Sequence, residues 1–243
     1  MLYYRIALIT SATRFAGKGT ARAMLDAGAK VICHDALFIQ PAARKAFEAD
    51  IAGVATVPGQ SPAAIVAEAE AFHGRIDILV NNDAYPAIRA PIEDTKMEDY
   101  RAAFEAMTIR PFEITQRVVP GMKARKFGRI IFMSSSAPLR RLANYAPYTS
   151  VRAATNGLVS SLAKELGRYA ITVNAIGSNY VENPDYFPPA LVNDKAAMAK
   201  MTANIPLGRL GKPEEIAATA TFLASDGAGF ITGHVLPHSG GWA

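Results

Sequence analysis

The sequence predicts an α/β protein: a doubly wound parallel sheet of seven strands, with helices on both faces. Three observations predict it. Seven short apolar runs, rich in β-branched residues, alternate along the chain with stretches patterned as helices. Alternation of that kind builds a parallel sheet covered on both sides. The chain has 243 residues and half of them are apolar, enough for one large core and a single domain over 1–243. The first apolar run leads straight through a turn containing Gly17 and Gly19 into a helical stretch.

In chain order, the first strand covers Arg5–Thr10 and its helix Gly19–Ala27. Lys30–His34 is the second strand and Gln40–Glu48 its helix. Val54–Val57 and Ser61–Phe72 form the third strand and helix. Ile76–Asn81 is the fourth strand, followed by a long helix over Lys96–Arg125. Gly128–Ser134 is the fifth strand, followed by a second long helix over Tyr145–Tyr169. Ile171–Ile176 is the sixth strand, followed by helices over Ala190–Ala203 and Pro213–Ala224. Gly233–Pro237 is the last strand. The proline-rich stretch Pro184–Pro189 reads as a loop, either a plain connection or a wall over the strand ends. Ligands in such sheets bind beyond the carboxyl ends of the strands.

Composition excludes several function classes. No apolar stretch reaches the length of a membrane span. Met1 to Arg5 lacks the basic region and cleavage site of a signal peptide and reads as the lead-in to the first strand. A single cysteine, Cys33, rules out an intrachain disulfide, which fits a reducing cytoplasm. The net charge of +5 comes from scattered basic residues, with small groups such as Lys123, Arg125 and Lys126, and nothing resembles a nucleic-acid motif. The four histidines have no carboxylate or cysteine at metal-ligand spacing, so no metal site is expected.

The turn after the first strand is the place where a Rossmann fold cradles pyrophosphate. Glycines there let backbone N–H groups approach the phosphates. This chain has Phe15 in that turn, and its ring fills the space the approach requires. Asp35, at the end of the second strand, stands where a nucleotide-binding fold reads the adenosine ribose. With Phe15 present it reads as an inherited strand end.

A second set of residues carries chemistry. Ser135 follows the fifth strand, and Tyr148 and Arg152 stand four apart at the start of a long helix, on one face. A strand end and a helix start converge at the mouth of such a sheet. The set suits proton abstraction from an alcohol. Free tyrosine titrates near pH 10, too high for a base at neutral pH. A cation alongside favours the phenolate, and arginine stays protonated throughout. Ser135 is placed to hold the substrate oxygen by a hydrogen bond.

Taken together, the strand–helix order, the stretch Ile78 to Asn82, the Ser135 and Tyr148 pattern and the tail Thr232 to Gly241 resemble the short-chain dehydrogenase/reductase fold over essentially the whole chain. Its departures are specific. Arg152 stands where those reductases have lysine, Met107 where they have the active-site asparagine, Asp83 where they have alanine, and Phe15 in the glycine-rich turn. The spacings Thr10-x4-Phe15-x-Gly17 and Ser135-x12-Tyr148-x3-Arg152 are similar to those of the halohydrin dehalogenases, a branch that works without a nicotinamide cofactor. That resemblance implies conversion of a vicinal haloalcohol to an epoxide and halide, with Tyr148 as base, and ring opening by azide, cyanide or nitrite in reverse. It implies a halide pocket built from Phe15 and the loop Ser178, Asn179, Tyr180 and Val181, with Ser178 in place of an expected proline. Asp83 is expected to orient Arg152 from behind, or else to cap a loop. Tyr186 and Phe187 are expected to line the pocket or to anchor the loop. A homotetramer through the two long helices is a further implication. Two other readings stay open: a reductase with an unusual turn, and an inactive scaffold of the same fold.

Overall fold

The computed structural model describes residues 1–140, 142–184 and 187–243. Seven parallel strands form one sheet in the order β3-β2-β1-β4-β5-β6-β7. They are β1 (Ile6–Ile9), β2 (Lys30–His34), β3 (Val54–Val57), β4 (Ile78–Asn81), β5 (Gly128–Ser135), β6 (Ile171–Ser178) and β7 (Val235–His238). Residues of β1, β2, β4 and β5 alternate between two cores. Ile9, Val31, Cys33, Val80 and Ile131 face one; Leu8, Ile32, Leu79, Ile130 and Phe132 face the other. Burial on both faces is why these strands read as continuous apolar runs rather than alternating ones.

The first face is covered by α1 (Gly17–Asp26), α2 (Pro41–Asp50) and α10 (Pro213–Ala224), through residues such as Met24, Phe47 and Ile216. The second is covered by α3 (Pro62–His73), α5 (Arg110–Arg125) and α7 (Ala146–Leu166), through Ile65, Ile114, Val118 and Val159. Burying one such side chain contributes roughly 1.5–3 kcal/mol. Chain direction across the sheet reverses between β1 and β4, so their carboxyl ends flank the crevice where ligands of such folds sit.

Three predicted helices differ in detail. The stretch Lys96–Arg125 is helical but not uniform: α4 (Met97–Phe104) passes through a π-helical turn, Glu105–Ile109, into α5. Pro111 explains it. Proline has no N–H to donate to the Met107 carbonyl four residues back, and the Thr155 hydroxyl of α7 donates to that carbonyl instead, at 3.0 Å. The stretch Ala190–Ala203 is two helices, α8 (Pro189–Asn193) and α9 (Lys195–Thr202). Asp194 breaks it by accepting bonds from the N–H groups of Ala196 and Ala197, an N-cap inside the apolar pattern. A short α6 (Ala137–Arg140) precedes α7. The first helix starts two residues earlier than the sequence suggested, at Gly17. A Cβ there would meet the Ala12 carbonyl oxygen at 2.5 Å, so glycine is required for the turn to close on the helix.

Candidate active site

Ser135 is the last residue of β5 and lies beside Ser178, the last residue of β6. It is buried, and its Oγ accepts a bond from the Ala137 N–H at 3.0 Å, which fixes its rotamer. Tyr148 sits in the first turn of α7 and is half-buried. Its ring packs against a small apolar cluster of Ala103, Met107 and Val151, so Met107 supplies packing where a polar side chain was expected in a reductase.

Arg152 follows one turn later and is 5% exposed. Its Nη1 donates to the Met133 carbonyl at 2.9 Å and approaches the Asp83 carbonyl at 3.5 Å. Its guanidinium carbon lies 5.6 Å from the centre of the Tyr148 ring. Its Nε is buried with no hydrogen-bond partner among the described residues. A buried cation with an unused donor is costly to keep, and it places a positive charge beside Tyr148.

Asp83 is also buried, but its carboxylate does not meet Arg152 directly. Its two oxygens accept bonds from the hydroxyls of Thr10 (2.8 Å) and Ser11 (2.7 Å). The contact with Arg152 runs through the Asp83 main-chain carbonyl. Of the two readings of Asp83, the carboxylate takes the loop-capping one, while its main chain reaches Arg152. Burial raises the pKa of Asp83, against the lowering effect of the two hydroxyls and, more weakly, of Arg110 and Arg152. Asp83 thus pins the start of the turn that carries Phe15.

That turn is tied down from three sides. Besides Asp83, the Asn82 amide donates to the carbonyls of Ser11 and Arg14, both at 2.9 Å. The Asp35 carboxylate accepts from the N–H and hydroxyl of Thr13 and from the Leu37 N–H. Phe15 and Ser11 both have left-handed backbone, with φ of 44° and 47°. A left-handed residue with a Cβ costs roughly 1–2 kcal/mol, so the surrounding bonds must hold it there.

Phe15 divides the crevice. On one side a cavity of about 420 Å³ is lined by Phe15, Ser135, Tyr148, Ser178, Asn179, Tyr180 and Val181, together with Leu142, Tyr145, Leu191 and Met201. On the other side a cleft of about 850 Å³ runs past Thr13, Arg14, Leu37 and Pro213 toward the ends of β1 and β2. All of the predicted pocket residues that fall within the described part of the chain line the first cavity, and Arg152 and Asp83 stand behind its wall. Tyr186 lies outside the described residues. Phe187 lines the cavity and also faces the Tyr180 ring at 6.5 Å. Ser178, where proline was expected, donates its hydroxyl to the Ser134 carbonyl at 3.1 Å. Tyr180 is left-handed (φ 53°), is wedged edge-on against Trp242 at 5.7 Å, and has its carbonyl held by the Gly211 N–H.

Known proteins match this arrangement. The family described as enoyl-(acyl carrier protein) reductase matches residues 13–243. An acetoacetyl-CoA reductase of Shinella zoogloeoides is 34% identical, with 98% of each chain covered. A solved structure titled a dehalogenation enzyme is 61% identical over 100% of both chains, with a TM-score of 0.97. A second, the halohydrin dehalogenase HheC bound to ethyl (2S)-oxiran-2-ylacetate, is 34% identical over 97% of this chain and 96% of the other, with a TM-score of 0.93. The chain belongs to the halohydrin dehalogenase branch of the short-chain dehydrogenases/reductases.

The wider superfamily implies a nicotinamide dinucleotide, and the residues do not fit one. The Phe15 ring occupies the turn that would cradle phosphate, and the Asp35 carboxylate is bound to Thr13 and Leu37 rather than free for a ribose. Arg152 turns inward to the Met133 carbonyl. Sequence reasoning did not single out Asn82, Arg89, Leu142, Leu191 or Met201. Asn82 had a readable signal, since it lies one residue past the end of β4, next to Asp83. The others reach the cavity from loops and short helices whose placement no local pattern gives.

Proposed function

We propose that this chain converts vicinal haloalcohols to epoxides and halide, reversibly and without a nicotinamide cofactor. The observation that carries this is the shared cavity: Ser135 and Tyr148 face the same space as Phe15 and the loop 178–181, with a buried arginine behind the tyrosine. Ser135 donates a hydrogen bond to the substrate oxygen. Tyr148, as phenolate, takes the hydroxyl proton, and Arg152 stabilises the negative charge that Tyr148 carries before the transfer. The oxygen attacks the neighbouring carbon, the C–O bond forms, and the carbon–halogen bond breaks with its electron pair leaving on the halide.

The departing halide moves into the space beside Phe15, Ser178, Asn179, Tyr180 and Val181. Backbone N–H groups and the positive edges of aromatic rings suit a small anion. The Gly211 strand bridge takes up the Tyr180 carbonyl and the Glu182 N–H, and leaves the N–H groups of Tyr180 and Val181 out of the bridge. In reverse, azide, cyanide or nitrite held there opens an epoxide, and Tyr148 returns its proton to the alkoxide. Asp83 keeps the turn and Arg152 in register.

The same reading includes a homotetramer through the α4–α5 and α7 faces and a place in the cytoplasm; among the described residues no helix is long and apolar enough to cross a membrane. Chloride release from 1,3-dichloro-2-propanol tests the activity. The wild type releases chloride and Tyr148→Phe, still folded, does not; release by both at similar rates would remove Tyr148 from the mechanism.

A further inference from the structure

We infer that the reaction cavity favours haloalcohols and epoxides bearing a carboxylate two or three carbons from the reacting centre, and that Arg89 reads that group. The inference rests on the epoxide-forming role proposed for the same cavity. Four observations lead to it.

Arg89 is the one charged side chain among the described residues lining the cavity. It has no ion-pair partner among the described residues, and its guanidinium stacks over the Tyr145 ring at 5.9 Å. Its loop is tied to the start of α7, since the Ala90 N–H donates to the Asn144 carbonyl at 3.0 Å. The first turn of α7 carries no acidic residue, so the positive end of that helix adds to the same potential.

Position then sets the spacer. Tyr145 precedes Tyr148 by three residues, just ahead of the helix. Arg89 and Tyr148 line the same cavity, and the ring that the Arg89 guanidinium overlies belongs to the N-cap residue three positions ahead of Tyr148, about one turn or about 5 Å of rise along the chain. That is about the reach of two or three carbon–carbon bonds plus a carboxylate. The volume agrees. A cavity of about 420 Å³ lies in the range that holds drug-sized ligands, well beyond a three-carbon haloalcohol. The acidic Glu182 lines the neighbouring cleft rather than this cavity. An exposed cation on a carboxylate is worth little in water, so the effect is one of preference.

The test uses a matched pair: oxiran-2-ylacetate and its ethyl ester, opened by azide. The readout is the ratio of kcat/KM for acid over ester, taken within each variant so that general damage cancels. Arg89→Gln lowers that ratio about three- to fivefold relative to wild type, Arg89→Lys keeps it, and added sodium sulfate compresses the wild-type ratio toward the Arg89→Gln value. The same ratio in all three proteins would overturn the inference while leaving the epoxide chemistry intact. Failure of the wild type to open the ester at all would instead strike the proposed function itself.

Discussion

Replacing Asn82 with alanine separates the stability of the Phe15 turn from the halide-holding role proposed for it. Asn82 is fully buried, and its amide donates two bonds of 2.9 Å, to the carbonyls of Ser11 and Arg14. Each such bond contributes about 1 kcal/mol net. Both carbonyls keep a second partner after the change, since Ser11 accepts from the Arg14 N–H and Arg14 from the Gly17 N–H. The substitution also removes the Asn82 Oδ1, which is buried without a partner among the described residues. The expected loss is therefore about 1–2 kcal/mol, and not the larger cost of orphaning two buried acceptors. In a chain of this size that lowers the midpoint of thermal unfolding by about 2–8 °C. The turn then samples conformations other than left-handed at Ser11 and Phe15, and the ring no longer defines one wall of the proposed anion pocket. Bromide inhibition of epoxide formation reads that directly, and its inhibition constant should rise several-fold. A variant with lowered stability but unchanged bromide inhibition would refute the claim that Asn82 fixes Phe15 for anion binding.

Three further predictions test separate parts of the account. Thr155→Val leaves the Met107 carbonyl without the hydroxyl that replaces the missing Pro111 N–H, and should cost about 1–3 kcal/mol in urea unfolding; adding Pro111→Ala, which restores a donor, should recover part of that loss, and no recovery would refute this origin of the π-helical turn. His34 is 3% exposed and its pKa is lowered to about 4, by burial first and Arg110 second, so its neutral form supports the fold fully above pH 6.5 and that support is lost as pH falls toward 4. The loss amounts to about 3 kcal/mol, and in His34→Gln the decline in stability between pH 6.5 and 4 should be correspondingly shallower; an identical decline would assign it to other groups. Arg152→Lys should lower kcat at least tenfold with folding retained, because an ammonium cannot hold the Met133 carbonyl and face Tyr148 in the same geometry; near wild-type kcat would mean that charge alone suffices.

Much of this architecture was legible in the chain because it is written locally. The seven strands stand out as β-branched runs since burial on both faces leaves no polar alternation to blur them. Ser135, Tyr148 and Arg152 were legible because a strand end and an i, i+4 pair are short-range facts. Phe15 was legible because only a small residue suits a phosphate turn. The rest depends on which distant partner wins. The π-helical turn needs Pro111 and, forty-eight residues away from Met107, Thr155. The Asp83 carboxylate had a choice of Arg152 or two hydroxyls, and the hydroxyls of Thr10 and Ser11 hold it. Asp194 lies inside the stretch read as one helix over Ala190–Ala203 and is a cap that divides it. Arg89 carries no local sign at all, since its place over Tyr145 is set by a loop closing on the start of α7.

The most direct test measures chloride and epoxide together, from one haloalcohol, using protein freed of nucleotides. Both products should appear in equal amounts at the same rate, with nothing gained by adding NAD or NADP. Turnover that requires a nicotinamide and yields a ketone in place of an epoxide would contradict it.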